Sequence, residues 1–355
     1  MSEESAGVAP PPPGVTPDFK STPWLLNANR IAVGVGVTLC TLSLVMRLYT
    51  KARISRKVWW DDVLIIIAWA FVIGAQAVIL YGYANSGFAI HIWNMTTSLL
   101  GTYRKTLLAF AVLYVVALGL AKLAIIILYY RLLQTIRVWK YILWILAGCI
   151  CMTSIALVLA VILACHPIQE GWSDDLSRTN ACRRRSDIHL GTAIANVVSD
   201  VILLLVPIVS LWSLHIPLLQ KIGVICLCGI GCFTVIISIV RLATLIPFLE
   251  SSDQPHQLGL ACLLIVIELN LVILCGSLSY LRQFLRHHAP CLMHRDEHFG
   301  HHIILSNHSA HARTPKSRHI TLEMVHDDVE PATNGSCDTR HSGSLVFHNE
   351  WIRDF

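Results

Sequence analysis

Apolar residues fall into seven long runs, and the charges collect in the stretches between them. The runs cover roughly residues 31–50, 59–81, 106–129, 140–164, 189–212, 222–248 and 258–280. Each is near the ~20 residues that cross about 30 Å of hydrocarbon at about 1.5 Å per residue. In lipid the backbone must satisfy its own hydrogen bonds, so such runs are expected to be helices. The pattern therefore predicts an all-α fold, a seven-transmembrane-helix bundle over residues 31–286. Residues 82–105 are less apolar and rich in Asn, Ser, Thr and Gly; they read as a long loop with room for an interfacial helix. Residues 1–30 are polar and include the run Pro10 to Pro13, so a disordered N-terminus is expected. They lack a basic segment followed by an apolar one, so no cleavable signal peptide is expected. Residues 287–355 are polar and His-rich and read as a disordered tail, and neither an internal repeat nor a second folded domain is visible.

Composition supports the membrane reading. Of 355 residues, 55% are apolar and only 14% charged, too little polar surface for a soluble protein of this size. The net charge of +5 is modest and points to no nucleic-acid partner. Its distribution matters more. Arg47 at the end of the first run is followed by Lys51, Arg53, Arg56 and Lys57; Arg131, Arg137 and Lys140 come after the third; Lys221, Arg282 and Arg286 follow the fifth and seventh. The positive-inside rule then places the N-terminus outside and the C-terminus in the cytosol, with the plasma membrane as the expected location. Arg183, Arg184 and Arg185 argue against this, since they fall in a segment that this topology puts outside. Asn94-Met95-Thr96 is a glycosylation sequon in a segment expected to face the lumen, whereas Asn307 and Asn334 head sequons expected to stay unmodified in the tail.

Lys122, Asp200, Arg241 and Glu268 are ionisable side chains inside the apolar runs. Each costs at least ~2.5–3.5 kcal/mol at a helix centre unless it is paired or hydrated. They are two cations and two anions, and Asn196 stands one helical turn before Asp200 on the same face. Asn270 follows Glu268 but is expected to point elsewhere. Two readings stand: a polar ligand pocket or relay, and an interhelical network that fixes helix packing. Cys165 and Cys182 bracket the 165–188 segment, where an oxidising lumen favours a disulfide; two free thiols at the interface are the alternative. Asp61 and Asp62 after Trp59 and Trp60 suit a helix N-terminus at the membrane interface. Cys291, His294, His298, His301 and His302 match no standard zinc spacing, so no metal is expected there, and Cys291 is a candidate for palmitoylation. No phosphate-binding loop, nucleophile elbow or HExxH is present, and enzymatic activity is not expected. The seventh run holds no lysine, so a retinal Schiff base cannot form there and no cofactor is expected.

These residues resemble the fungal rhodopsin-domain integral membrane proteins, the group that includes a membrane protein of the satratoxin biosynthetic cluster. The similarity covers about residues 30–286. It runs through Arg47-Leu48-Tyr49, Trp60-Asp61-Asp62, Lys122-Leu123, Tyr129-Tyr130-Arg131, Cys165-His166-Pro167, Trp172, Cys182, Asn196, Asp200, Pro207, Lys221, Ser238-Ile239, Arg241-Leu242, Glu268, Asn270 and Leu281-Arg282. A departure is Ser279-Tyr280, where members often carry proline. The resemblance implies a seven-helix architecture without retinal. It also implies a receptor-like role or a place beside secondary-metabolite genes. Together with the four intramembrane charges, the expectation is a receptor-like protein with a small-molecule ligand near Asp200, Glu268, Lys122 and Arg241 and a cytosolic signalling partner, with a transporter or accessory protein of a metabolite pathway as the alternative.

Overall fold

A computed structural model describes residues 10–14, 16, 18, 23–55, 59–133, 137–163, 185–212, 218–251 and 253–280. The described chain is all-helical and contains seven helices long and apolar enough to cross a membrane. They are α1 (Leu26–Tyr49), α2 (Trp60–Asn85), α3 (Thr97–Leu133), α4 (Arg137–Ile162), α5 (Arg185–Trp212), α6 (Leu218–Glu250) and α7 (Gln254–Leu278). Cys165, Trp172, Cys182, Arg282, Arg286 and the His-rich tail lie outside the described residues.

Helix boundaries extend the apolar runs, because a helix continues through polar residues wherever backbone hydrogen bonds and caps still hold. The largest difference is at α3. The long loop expected over 82–105 is much shorter, since α2 runs to Asn85 and α3 starts at Thr97. Thr96 starts the helix: its hydroxyl accepts the Leu99 N–H at 3.4 Å and its carbonyl the Leu100 N–H at 3.0 Å. With 37 residues, α3 is about 55 Å long and outreaches the hydrocarbon. The short connection folds inward. Phe88 and Met95 are fully buried, and Gly82 leaves room for the Phe88 ring, which a Cβ there would strike at 2.6 Å. A short 3₁₀ turn over Ile92–Asn94 completes it.

Helices α3 and α7 form the interior, while α1, α4 and α6 turn rows of Ile, Leu, Val and Phe outward. Those outward rows suit lipid, which asks for no polar face. α7 touches α1, α2, α3 and α6, and α6 lies between α5 and α7. The approach of α1 to α7 depends on Gly36, since a Cβ there would run into the Asn270 amide. Asn270 thus faces α1: Cys40 Sγ lies 3.3 Å from its Oδ1, and its Nδ2 donates to the Val266 carbonyl at 2.7 Å. It points away from Glu268, as the helical spacing predicts. Two faces can be distinguished. The N-terminal face carries Trp24, the 86–96 connection and Asp253; the opposite face carries the Thr50–Ser55 turn, Trp59 and Tyr280.

Candidate functional site

The structure brings Lys122, Asn196, Asp200, Arg241 and Glu268 together in one buried network across four helices. Lys122 of α3 forms an ion pair with Asp200 of α5 at 2.9 Å. Its ammonium also donates to Asn196 Oδ1, to the Asn196 carbonyl at 3.3 Å and to Ser199 Oγ at 2.6 Å. Asn196 and Asp200 are four residues apart, so both face Lys122 from one side of α5. Arg241 of α6 pairs with Glu268 of α7 at 2.9 Å, and the Tyr114 hydroxyl donates to the same Glu268 oxygen at 3.2 Å. The Arg241 guanidinium lies 5.1 Å from the Tyr114 ring centroid, within cation–π range.

The two ion pairs are joined. Asn196 Nδ2 donates to Glu268 Oε1 and reaches Asp200 Oδ2 at 3.3 Å. Ser238 Oγ lies 2.7 Å from Asp200 Oδ2 and 3.0 Å from Glu268 Oε1. One hydroxyl proton therefore has two carboxylate acceptors within reach. Lys122 and Arg241 occupy the two ends of this chain of contacts, and the carboxylates the middle. Two positive and two negative groups cancel, which is what makes the cluster tolerable away from water. Arg241 Nη2 is buried and has no hydrogen-bond partner among the described residues. A buried guanidinium nitrogen with no acceptor is costly, so it is a ready donor to any oxygen brought beside it.

Below Lys122, toward the opposite face, lies a cavity of about 40 Å³. Lys122, Asp200, Tyr129, Thr234 and Pro207 contribute to its wall, with Val272 and Cys275 of α7. It is large enough for water and too small for an organic ligand. Pro207 has no N–H for the Leu203 carbonyl, so the ladder of α5 is interrupted where both residues line the cavity.

A second buried ionic group lies at the opposite face. Arg47 and Lys51, one turn apart on α1 and its π-helical extension Thr50–Ser55, meet Asp61 and Asp62 at the start of α2. Arg47 Nε lies 3.0 Å from Asp62 Oδ1, and its Nη2 bonds to Asp61 Oδ2. Lys51 Nζ lies 2.7 Å from Asp61 and 2.6 Å from Asp62. Arg47 Nη1 also donates to the Gly276 carbonyl of α7 at 2.5 Å, and Tyr280 covers the group, with the two cations 4.7 and 4.6 Å from its ring centroid. Burial pushes the Tyr280 phenol up, the Asp61 charge adding to it. Asp62 does cap α2, accepting the Trp59 N–H at 3.1 Å. Trp59 and Trp60 stay exposed, as interface anchors should.

Tyr114, Ser199 and the Arg47–Lys51 pairing were not singled out by sequence reasoning. Hydroxyls are common in helices, and Arg47 and Lys51 are indistinguishable there from the solvated charges beside them. Asn94 is buried, and its Oδ1 accepts the Asp18 N–H at 3.0 Å.

The model of the fungal rhodopsin domain matches residues 46–287, from the end of α1 past α7. The chain belongs to this family. It is 23% identical over 261 residues to "Fugralins biosynthesis cluster protein 2" of Gibberella zeae, covering 70% of this chain and 63% of that one. It is 22% identical over 259 residues to "Receptor GIN3" of Arthrobotrys oligospora, covering 73% and 62%. It is 27% identical over 217 residues to "SAT4 family membrane protein" of Emericella nidulans, covering 60% and 54%. The chain thus spans less than two thirds of the length of these relatives. No solved structure matches it. The family and the seven helices together make the chain a multi-pass membrane protein of the fungal rhodopsin-domain family.

Proposed function

We propose that this protein is a plasma-membrane receptor for a small molecule, acting without retinal, with its N-terminus outside and a signalling partner at the cytosolic loops. The observation that carries the reading is the single charge network joining α3, α5, α6 and α7, with one guanidinium nitrogen left to bind. A ligand oxygen bonded to Arg241 Nη2 competes with the hold of Arg241 on Glu268. That change passes through Ser238 and Asn196 to Asp200 and Lys122. A ligand shifts an equilibrium only by what it binds differently in two states, and a network with one proton between two carboxylates offers two such states. The relative called a receptor supports the reading. The outside N-terminus rests on the basic cluster after α1, although Arg47 and Lys51 are consumed by Asp61 and Asp62, which leaves Arg53, Arg56 and Lys57. Such an orientation puts the 165–188 segment, with Cys165 and Cys182, in an oxidising compartment.

The test uses the purified chain and an organic extract of the producing culture's medium. The extract is expected to raise the melting temperature of the wild type and not that of Arg241→Lys, which keeps a charge for Glu268 but loses the second nitrogen. An equal rise in both sinks the assignment. The other reading is a transporter or accessory protein of a secondary-metabolite pathway, favoured by the relative named for a biosynthesis cluster. Saturable accumulation of an extract component in proteoliposomes would establish it instead. Tags on either terminus, probed in intact cells, check the orientation.

A further inference from the structure

We propose that His91, Asp253 and His256 form a binding site for a divalent transition-metal ion of the zinc class at the N-terminal face. His91 comes from the α2–α3 connection, Asp253 from the residue before α7 and His256 from its first turn. One ligand atom from each lies within 4.8 Å of the other two. Two imidazoles and a carboxylate suit a borderline-soft ion such as Zn(II), which takes them at about 2.0–2.2 Å and leaves a fourth position open. His91 Nδ1 and Asp253 Oδ2 stand 2.5 Å apart, so an ion between them needs an opening of roughly 1 Å. All three residues are part-buried, which leaves a path for the ion.

The carboxylate is held by backbone bonds and the two rings by stacking, so one ring tilts out of the stack to share an ion with the other. Asp253 Oδ1 accepts the Ile92 N–H at 2.9 Å, and the Asp253 N–H donates to Ser251 Oγ at 3.1 Å. The imidazoles stack on each other at 3.9 Å and 7°, between Trp24 on His256 at 5.0 Å and Trp93 on His91 at 4.4 Å. Trp24 Nε1 donates to the His256 carbonyl at 2.7 Å, and the Ala89 N–H to the Pro255 carbonyl at 2.9 Å. Gly259 permits this closeness, since a Cβ there would lie 2.8 Å from Ala89 Cβ and 3.0 Å from Trp24 Nε1.

Backbone strain collects at the same place. Among the described residues two non-glycines have positive φ, Leu25 at 56° and Ala89 at 61°. Leu25 follows Trp24, and Ala89 is two residues before His91. L-residues avoid this region, and such strain persists where the surroundings over-determine it, often at ligand sites. A bound ion would tie the N-terminal segment, the α2–α3 connection and α7 by one centre. It would thereby fix the outer end of the helix that carries Glu268.

The His-rich tail is present in every chain compared, so any zinc taken up there cancels and the readout is a difference between full-length chains. Wild type, Asp253→Asn and His256→Gln are stripped with chelator in detergent, titrated with ZnCl₂ and assayed for bound metal and melting temperature. Asp253→Asn keeps an acceptor for Ile92 N–H and the ring column, so it is expected to fold; His256→Gln removes an imidazole independently. The wild type is expected to hold one more zinc per chain than either variant. At a hundredfold excess over Kd its melting temperature should rise by about 5 °C or more, an effect absent from both variants. Equal zinc counts and equal shifts in all three chains would overturn the site and leave the rings as an aromatic latch.

Discussion

The two buried ionic groups hold the same charges, two positive and two negative, in different ways. At the opposite face, Arg47 and Lys51 each bond both aspartates, and the partners are only 10 to 15 residues apart in sequence. In mid-bundle each cation has one carboxylate, and the bonds between helices span 27 to 154 residues. The first group leaves an acceptor unused, Asp61 Oδ1, on a carboxylate whose other oxygen already takes Arg47, Lys51 and Tyr280. The second leaves a donor unused, Arg241 Nη2, a rarer and costlier state for a buried group. Redundant local bonding makes a clasp between α1, α2 and α7. Single bonds chained through shared hydroxyl and amide groups make an arrangement with near-equivalent alternatives.

Four substitutions probe that contrast. Arg47→Ala strips two ion pairs and the Gly276 bond, and should cost about 3–5 kcal/mol in thermal or denaturant unfolding. A loss under about 1 kcal/mol would mean the clasp is not structural. Glu268→Gln keeps the shape of the network but leaves Arg241 without its counter-charge. A loss of about 2–3 kcal/mol is expected, together with loss of the extract-induced stabilisation. If Glu268→Gln loses stability but keeps the extract-induced stabilisation, the mid-bundle group serves helix packing alone. Gly36→Val drives a side chain into Asn270 and should cost about 1–3 kcal/mol by overpacking, lowering folded yield in proportion. Unchanged yield would show that α1 can retreat from α7. Ser238→Ala removes the proton between the carboxylates and should cost about 1 kcal/mol, less than any change in the clasp. A larger loss than that from Arg47→Ala would reverse the comparison.

Asp200 and Glu268 were conspicuous in the sequence because an acid in an apolar run is expensive unless partnered. Their partners were named too, since two cations sat in runs of the same kind. That the four charges form one network was not legible, because Ser238 and Tyr114 look ordinary until helices bring them to a carboxylate. Arg47 and Lys51 misled in the other direction. Their place at the end of an apolar run marks them as solvated, yet α1 carries Arg47 inward and its π-helical extension does the same for Lys51. His91 and His256 gave no spacing signal, being 165 positions apart.

The sequence by itself determined seven membrane-crossing helices, because lipid leaves a long apolar run no other way to satisfy its backbone. It also marked which buried charges must find partners. Only the tertiary structure decided who those partners are, how far α3 extends, and that His91, Asp253 and His256 stand together. Those outcomes depend on which helix faces meet at what depth. Periodicity within one helix carries no information about the side chain that arrives from another.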